Sequence, residues 1–312
     1  KGFYRGIVDT DMAYQEAMDQ FKSGQRAMRE HTEYSRLQYR AIFDDGVLRR
    51  YAHDLMPWVE VVIPLDPGQL GIKPVLLYLS ENTHARQSSM DDLMLVGKNI
   101  VMAQRAKSRT VSNILERSRE RGYEVEILTQ EERESEEVIN QIATLYVRFG
   151  WSREEVVTML NNRNNINAVA RYDRQIVSSG IGEMAVVPLG DRAFRLVELT
   201  EAATLHEHER NGCYASISTV ILLELQRRSR AFEILGGEID VVFGESNGLS
   251  EGVLHVAAIQ GRNFSTDTSE RYGLFGSGIL HQQVPIFGPK RQTPYNDLIV
   301  TYFTRRNLYG IV

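Results

Sequence analysis

Arg195–Arg228 reads RLVELTEAATLHEHERNGCYASISTVILLELQRR, and the fold turns on how that stretch divides. About ten residues of strand character come first, then a short polar turn containing Gly212, then Ile217, Val220, Ile221 and Leu225 at helical separations. A strand, a loop and a helix in series are expected. Small residues placed just ahead of a helix expose its first N–H groups, which have no partner inside the helix and sit at the positive end of its dipole. An anion is the natural ligand there, and Arg210 on the strand side would add a charge-assisted hydrogen bond of roughly 1.5–3 kcal/mol. The stretch reads as a pyrophosphate seat. An ordinary strand-to-helix connection is the alternative, because the spacing fits neither GxGxxG nor GxxxxGKS/T.

Arg210-Asn211-Gly212-Cys213-Tyr214-Ala215 resembles the R-x-x-G-x-G/A acyl-CoA loop of the GNAT (Gcn5-related) N-acyltransferases, with Cys213 where that family prefers Gly. Glu198-Leu199-Thr200-Glu201-Ala202-Ala203-Thr204 is similar to the family's fourth strand, and its E-x-T-x-x-A-T form resembles the β-lysine N-acetyltransferase branch. Glu245-Ser246-Asn247, Gly261-Arg262-Asn263-Phe264, Gly278-Ile279-Leu280-His281 and Tyr295-Asn296-Asp297 follow in that branch's order. The resemblance covers about Tyr123 to Phe303. It implies a mixed, mostly antiparallel α/β sheet of GNAT type flanked by helices, in 122–312, with 1–121 as an N-terminal α/β accessory region.

Composition bounds this reading. The 312 residues suffice for one large domain or two modest ones, and 42% hydrophobic with 25% charged residues are globular values. A formal net charge of −5 argues against a broad nucleic-acid surface. No run approaches the roughly 18 apolar residues of a membrane span. The start lacks a secretory apolar core, although Lys1 stands in place of an initiator Met and leaves room for a trimmed leader. One cysteine permits no internal disulfide and no multi-thiolate metal site, which fits a reducing cytoplasm.

From about Asp11 to Asp44 the polar, helix-forming sequence predicts one or two amphipathic helices ended by Asp44-Asp45-Gly46. Val59–Leu65 and Pro74–Leu79 read as strands, Ser80–Gln87 as loop, and Ser89–Arg121 as a long helical stretch whose charges form a solvated face. His53 and His84 stand alone, and Pro57-Trp58 fits either a pocket wall or the core. Tyr123–Leu128 is a short strand. Thr129-Gln130-Glu131-Glu132 and Ser152-Arg153-Glu154-Glu155 carry capping-box signals, which start helices at Gln130 and Arg153. Tyr146, Phe149 and Trp151 lie between them, against an acceptor site or in packing. Asn167–Tyr172 and Ile176–Val186 form a hairpin through Asp173-Arg174-Gln175, and Pro188–Asp191 turns the chain into the strand at Arg195. Ile239–Phe243 should pair with the strand at Val197 and splay from it, as the resemblance implies for a pantetheine arm. Ser250–Gln260 reads as the last helix, with Gly273–Val284 and Leu298–Thr304 as closing strands.

Moving an acyl group from a thioester to an amine requires a free amine, a polarised carbonyl and a proton for the thiolate. An alkyl ammonium has a pKa of about 10, so a carboxylate or water relay must deprotonate it. Glu198 and Glu201 are the candidates; strand alternation sends them to opposite faces, and Glu198 is preferred inside Leu196-Val197-Glu198-Leu199. A main-chain N–H between Leu199 and Thr204 would polarise the carbonyl. The resemblance implies that Leu199, Thr200, Ala202, Ala203 and Thr204 line the cofactor with Arg210–Ala215. It also implies Tyr272 as thiolate acid, with Tyr295 second, and His255 as an acid or cofactor contact. Cys213 sits at a helix N-terminus but lacks an activating His, so small-residue packing is preferred to covalent catalysis. His206-Glu207-His208 is too sparse for a metal site.

The expectation is an acyl-CoA-dependent N-acyltransferase using acetyl-CoA or another acyl-CoA, without metal, on a small amine or amino-acid-like metabolite. The alternatives are an acyl carrier protein donor, docking at Arg227, Arg228 and Arg230, or a non-catalytic acyl-CoA-binding or regulatory module. A homodimer is left open; nucleic acid and membrane are not expected partners.

Overall fold

The computed structural model describes residues 3–8, 11–30, 36–65, 73–82, 111–189, 192–231, 241–246, 275–285 and 295–304. By contact the chain forms two compact units. The first comprises 1–106, 186–194 and 245–304, and the second 107–185, 195–244 and 305–312. This division departs from a single cut between residues 121 and 122. The helix ahead of Tyr123 goes with the second unit, and the two closing strands go with the first.

In the first unit, β1 (Phe3–Val8) is joined through α1 (Asp11–Glu30) to a parallel β2 (Arg36–Asp44). A crossover helix is what a parallel pair needs. The expectation of helix throughout 11–44 is therefore corrected. Leu37, Tyr39, Ala41 and Phe43 alternate with period two and pack on Tyr14, Ala17, Met18 and Phe21 of α1, a pattern that a strand satisfies and a helix does not. Asp44 starts a helix where it was expected to end one. Its carboxylate accepts from the Gly46 N–H at 3.0 Å and caps α2 (Asp45–Arg50), which leads to the short α3 (Ala52–Leu55).

β3 (Val59–Pro64) and β4 (Pro74–Asn82) are antiparallel, and β4 extends into what was expected as loop. With β10 (Phe275–Pro285) and β11 (Tyr295–Thr304), the order in this unit is β1-β2-β4-β3-β10-β11. Trp58 lies edge-on to Phe21, with ring centroids 5.8 Å apart, so it belongs to the core.

The second unit opens with α4 (Val111–Glu120) and β5 (Tyr123–Ile127). Then come α5 (Gln130–Glu134), α6 (Glu136–Tyr146) and α7 (Arg153–Asn161). Both expected capping boxes are formed, Thr129 with Glu132 and Ser152 with Glu155. β6 (Asn165–Tyr172) and β7 (Gln175–Leu189) make the expected hairpin. Asp173 and Arg174, at φ 47° and 65°, supply the two left-handed residues of a tight hairpin turn. β8 (Arg192–Thr204), α8 (Cys213–Arg230) and β9 (Val241–Ser246) complete the order β9-β8-β7-β6-β5. The sheets are mixed and mostly antiparallel, as expected. The hydrogen-bonded pairs β1–β2 and β8–β9 are parallel.

Opposite faces of this sheet are covered differently. Ile139, Ile142, Leu145 and Tyr146 of α6, with Val156 and Leu160 of α7, pack on Val169, Ile176, Ile181 and Ala203. On the other face, Ile217 and Ile221 of α8 press onto two glycines. A Cβ on Gly180 would lie 3.0 Å from Ile217 Cγ2, and one on Gly182 would lie 2.8 Å from Ile221 Cγ2. Those glycines let the helix approach the strands closely enough to set its N-terminus beside the end of β8.

Candidate functional site

The strand that was expected to lead into the anion loop does so with a fault in it. Val197 and Ala202 both neighbour the α8-facing glycines of β7, Val197 beside Gly182 and Ala202 beside Gly180. Residues five apart on a regular strand point to opposite faces, so one residue must be taken up between them. Glu201, at φ 50°, is that residue. The alternation that assigned Glu198 and Glu201 to opposite faces therefore does not carry across this bulge. Both carboxylates are half-buried, and Glu198 lies level with Phe243 of β9.

A left-handed φ on a non-glycine residue costs about 1–2 kcal/mol and persists where surrounding groups hold it. The holding group is Tyr146, the last residue of α6 and only 1% exposed, whose phenol donates to the Glu201 carbonyl. Burial, and after it the Glu201 charge, push the Tyr146 phenol well above its ordinary range, against an opposing contribution from Ser179. It is thus a proton donor at every working pH. Its ring packs against Trp151, centroids 5.1 Å apart, and Phe149 joins the same cluster. These aromatics pack the wall behind β8.

β9 pairs with β8, as expected, and the pair is parallel, with register from Leu196↔Val241 through Val197↔Val242 to Leu199↔Gly244. β8 continues past that register to Thr204, through Thr200, the bulge, Ala202 and Ala203. Its end is tied back to β7, where Ser178 Oγ donates to the Ala203 carbonyl at 3.0 Å and lies 2.7 Å from Thr204 Oγ1.

The loop after β8 is pinned at several points. Glu209 takes Arg148 at 2.9 Å and His206 at 3.3 Å, and His208 Nδ1 lies 3.0 Å from the Tyr123 hydroxyl. His206 and His208 are thus engaged in the turn, and among the described residues no three His, Cys, Asp or Glu side chains gather as a metal set. Arg210 and Gly212 adopt φ 64° and 88°. Gly212 is the N-cap of α8 and has no side chain of its own to cap the helix. Successive N–H groups of such a turn converge on one side, an arrangement suited to an anion.

Arg121, directly after α4, has the sequence context of a solvated helix end. Its Nη1 donates to the Asn211 carbonyl at 2.8 Å and is the nearest atom, at 3.9 Å, to a Cβ built on Gly212. Two guanidiniums, Arg121 and Arg210, therefore belong to this loop. Ninety residues separate Arg121 from Asn211, and no local pattern joins them.

Cys213, the first residue of α8, is 2% exposed, and its thiol lies 3.9 Å from the His208 carbonyl. Burial pushes that thiol up to about 11, so it is neutral at physiological pH and fills space as expected. Burial likewise raises the Tyr214 phenol, with Ser218 opposing. Ala215, in the same first turn, accepts from Thr219 at 2.7 Å. At the far end of α8, Arg227 and Arg228 are both drawn onto Glu224, at 2.9 and 2.6 Å, which reduces the expected basic patch. His255 and Tyr272 lie outside the described residues, as do the segment 261–264 and the expected helix 250–260. Tyr295 is the first residue of β11.

The second unit thus brings Glu198, Leu199, Thr200, Glu201, Ala202, Ala203 and Thr204 onto one bulged strand, and Arg210, Asn211, Gly212, Cys213, Tyr214 and Ala215 onto the loop and helix start that follow. Such an arrangement can hold an anionic group at the helix and offer main-chain hydrogen bonds from the strand beside it.

No protein-family model matches the chain, and no curated protein matches it. Solved structures do. The ribosomal-protein-S18-alanine N-acetyltransferase from Escherichia coli matches at 13% identity and TM-score 0.40, over 59% of this chain and 94% of that one. The aminoglycoside 6'-N-acetyltransferase from Enterococcus faecium matches at 18% and 0.37, over 58% and 96%. An aminoglycoside 6'-N-acetyltransferase complexed with coenzyme A matches at 16% and 0.38, over 58% and 96%. Identities and TM-scores of this size assign no activity to this chain.

Proposed function

We propose that this chain is an acyl-CoA-dependent N-acyltransferase of GNAT type that transfers an acyl group, acetyl first among candidates, directly to a small amine. The observation that carries the reading is the glycine N-cap of α8, left-handed at Gly212, next to a strand whose pairing with β9 runs to Leu199↔Gly244 and which is bulged at Glu201. A diphosphate fits the first. An extended thioester arm fits the second, lying along Leu199–Thr204. Arg210 and Arg121 would balance the phosphate charge.

In the reaction, the amine nitrogen bonds to the acyl carbon, the carbon–sulfur bond breaks, the amine's proton passes to a base, and the thiolate takes up a proton. Glu198 is the preferred base, directly or through water, with Glu201 as the second candidate. A main-chain N–H of the bulged segment would polarise the carbonyl. Tyr272 and His255 are proposed for the thiolate's proton. A neutral, buried Cys213 speaks against an acyl-cysteine intermediate.

The E-x-T-x-x-A-T strand motif makes a diamino acid the first acceptor to try. The Glu224 pairing of Arg227 and Arg228 weakens the case for a carrier-protein donor. Among the described residues no helix is long and apolar enough to cross a membrane; a cytoplasmic location is part of the proposal.

The test incubates the protein with isotopically labelled acetyl-CoA and a pool of amines and reads products by mass spectrometry. Label on one class of primary amine supports the reading. No labelled product, together with no heat on titrating CoA, rejects it; binding without transfer would indicate a non-catalytic module.

A further inference from the structure

The strained residue of β8 and the buried phenol aimed at it invite a more specific assignment within the same site. Glu201 holds a left-handed φ of 50°. Its carbonyl accepts from Tyr146, which is 1% exposed and closes α6. A peptide unit is planar and trans, so the direction of the Glu201 C=O fixes that of the Ala202 N–H at the other end of the unit, and the two point opposite ways. The carbonyl turns toward the α6 side. The Ala202 amide is therefore turned away from Tyr146. Ala202 is exposed and sits beside Gly180, which is in reach of Ile217 in the second turn of α8.

We infer that Tyr146 is a positioning residue: by gripping the Glu201 carbonyl it sets the orientation of the Glu201–Ala202 peptide, and so aims a main-chain N–H toward the acyl group of the substrate. This inference rests on the acyltransferase reading. Three features support it over plain packing. The phenol bonds the carbonyl of the residue of β8 whose φ is left-handed. Burial and the Glu201 charge keep the phenol protonated, so the donor is not lost with pH. The Trp151 ring, 5.1 Å away at 31°, fixes the orientation of the Tyr146 ring independently of the hydrogen bond.

The experiment compares wild type with Tyr146→Phe, which keeps the ring and removes the donor. Acyl transfer is measured at varied acyl-CoA, CoA affinity by calorimetry, and amide exchange over the peptide covering 199–204. Loss of one neutral hydrogen bond in the transition state lowers kcat about tenfold. The KM for acyl-CoA and the CoA affinity change less than about twofold, because the seat at Gly212 is untouched. Exchange over 199–204 rises. An unchanged kcat, or a kcat that falls only in proportion to CoA affinity, overturns the inference. Tyr146→Leu, which removes ring and donor, must be at least as slow as Tyr146→Phe; a faster Leu variant also overturns it. Failure of the function itself is distinguishable. If wild type neither binds nor transfers, the acyltransferase reading falls, and exchange over 199–204 still reports the peptide: no increase in Tyr146→Phe then rejects the grip as well.

Discussion

Replacing Gly212 with Ala isolates the backbone conformation on which the anion seat depends. Gly212 sits at φ 88° and ψ 9°, and a Cβ there would meet nothing closer than Arg121 Nη1 at 3.9 Å. Space is not the obstacle. What remains is the left-handed conformation, which costs an L-residue roughly 1–2 kcal/mol. That cost must appear in one of two places. If the variant keeps the loop shape, folding stability falls by the full amount and CoA affinity is unchanged. If the free loop relaxes, stability changes little and the strain returns on binding, weakening CoA by about 5–30-fold. The two losses together should come to about 1–2 kcal/mol.

Gly150 provides the control, with φ 79° and no atom within 4 Å of a built Cβ. Gly150→Ala pays the same conformational cost, of roughly 1–2 kcal/mol, in stability alone. Urea unfolding and isothermal titration with CoA on the three proteins measure both quantities. A Gly212→Ala variant with wild-type stability and wild-type affinity would show that position 212 needs no left-handed conformation. A Gly150→Ala variant that loses affinity would show that the effect on CoA is not specific to the loop at Gly212.

Arg121→Ala should weaken CoA about 5–20-fold while changing stability by less than about 1 kcal/mol, since an exposed guanidinium contributes little to folding; titration and urea melts check both. Folding holds the Cys213 thiol neutral by raising its pKa to about 11, so its contribution is intact below about pH 9 and is lost as pH rises toward 11. Stability in that window should fall less steeply in Cys213→Ala than in wild type, and native Cys213 should resist alkylation at pH 8 until the protein is unfolded.

Glu132→Gln should cost about 1–2 kcal/mol, because the carboxylate accepts from the Thr129 N–H at 2.9 Å and pairs with Arg171 at 3.0 Å. Burial alone would raise the Glu132 carboxyl, but the Thr129 bonds and Arg171 outweigh it and hold the group below its usual range. The stability that Glu132 supplies is present above the ordinary carboxylate pKa and lost as pH falls through the lowered value. The variant's acid unfolding curve should therefore be flatter below about pH 4.

Local chemistry was the part of the fold that could be read in advance. Thr129–Glu132 and Ser152–Glu155 signal their helices within four residues, and the Asp173-Arg174 turn signals its hairpin the same way, so each appears as expected. Arg36–Asp44 forms β2 although its mixture of charged and apolar residues has the composition of a helix; its period-two burial depends on α1 being there to cover it. The bulge at Glu201 was invisible for a similar reason. Glu carries no intrinsic preference for a left-handed φ, and the carbonyl of this residue meets Tyr146, 55 residues earlier in the chain. Arg121 meets Asn211 over a still longer span. The loop and strand motif were legible as local patterns, while the side chains that hold them in shape come from distant segments.

Acyl-CoA binding in this reading depends on main-chain amides behind Gly212 taking a diphosphate. Parallel calorimetric titrations of the protein with CoA and with pantetheine, which shares the thiol arm but lacks phosphate, test it most directly. A diphosphate seat at Gly212 gives one CoA site per chain and pantetheine at least tenfold weaker, with the difference shrinking as salt is raised. Equal affinity for the two ligands, or no CoA binding, would contradict it.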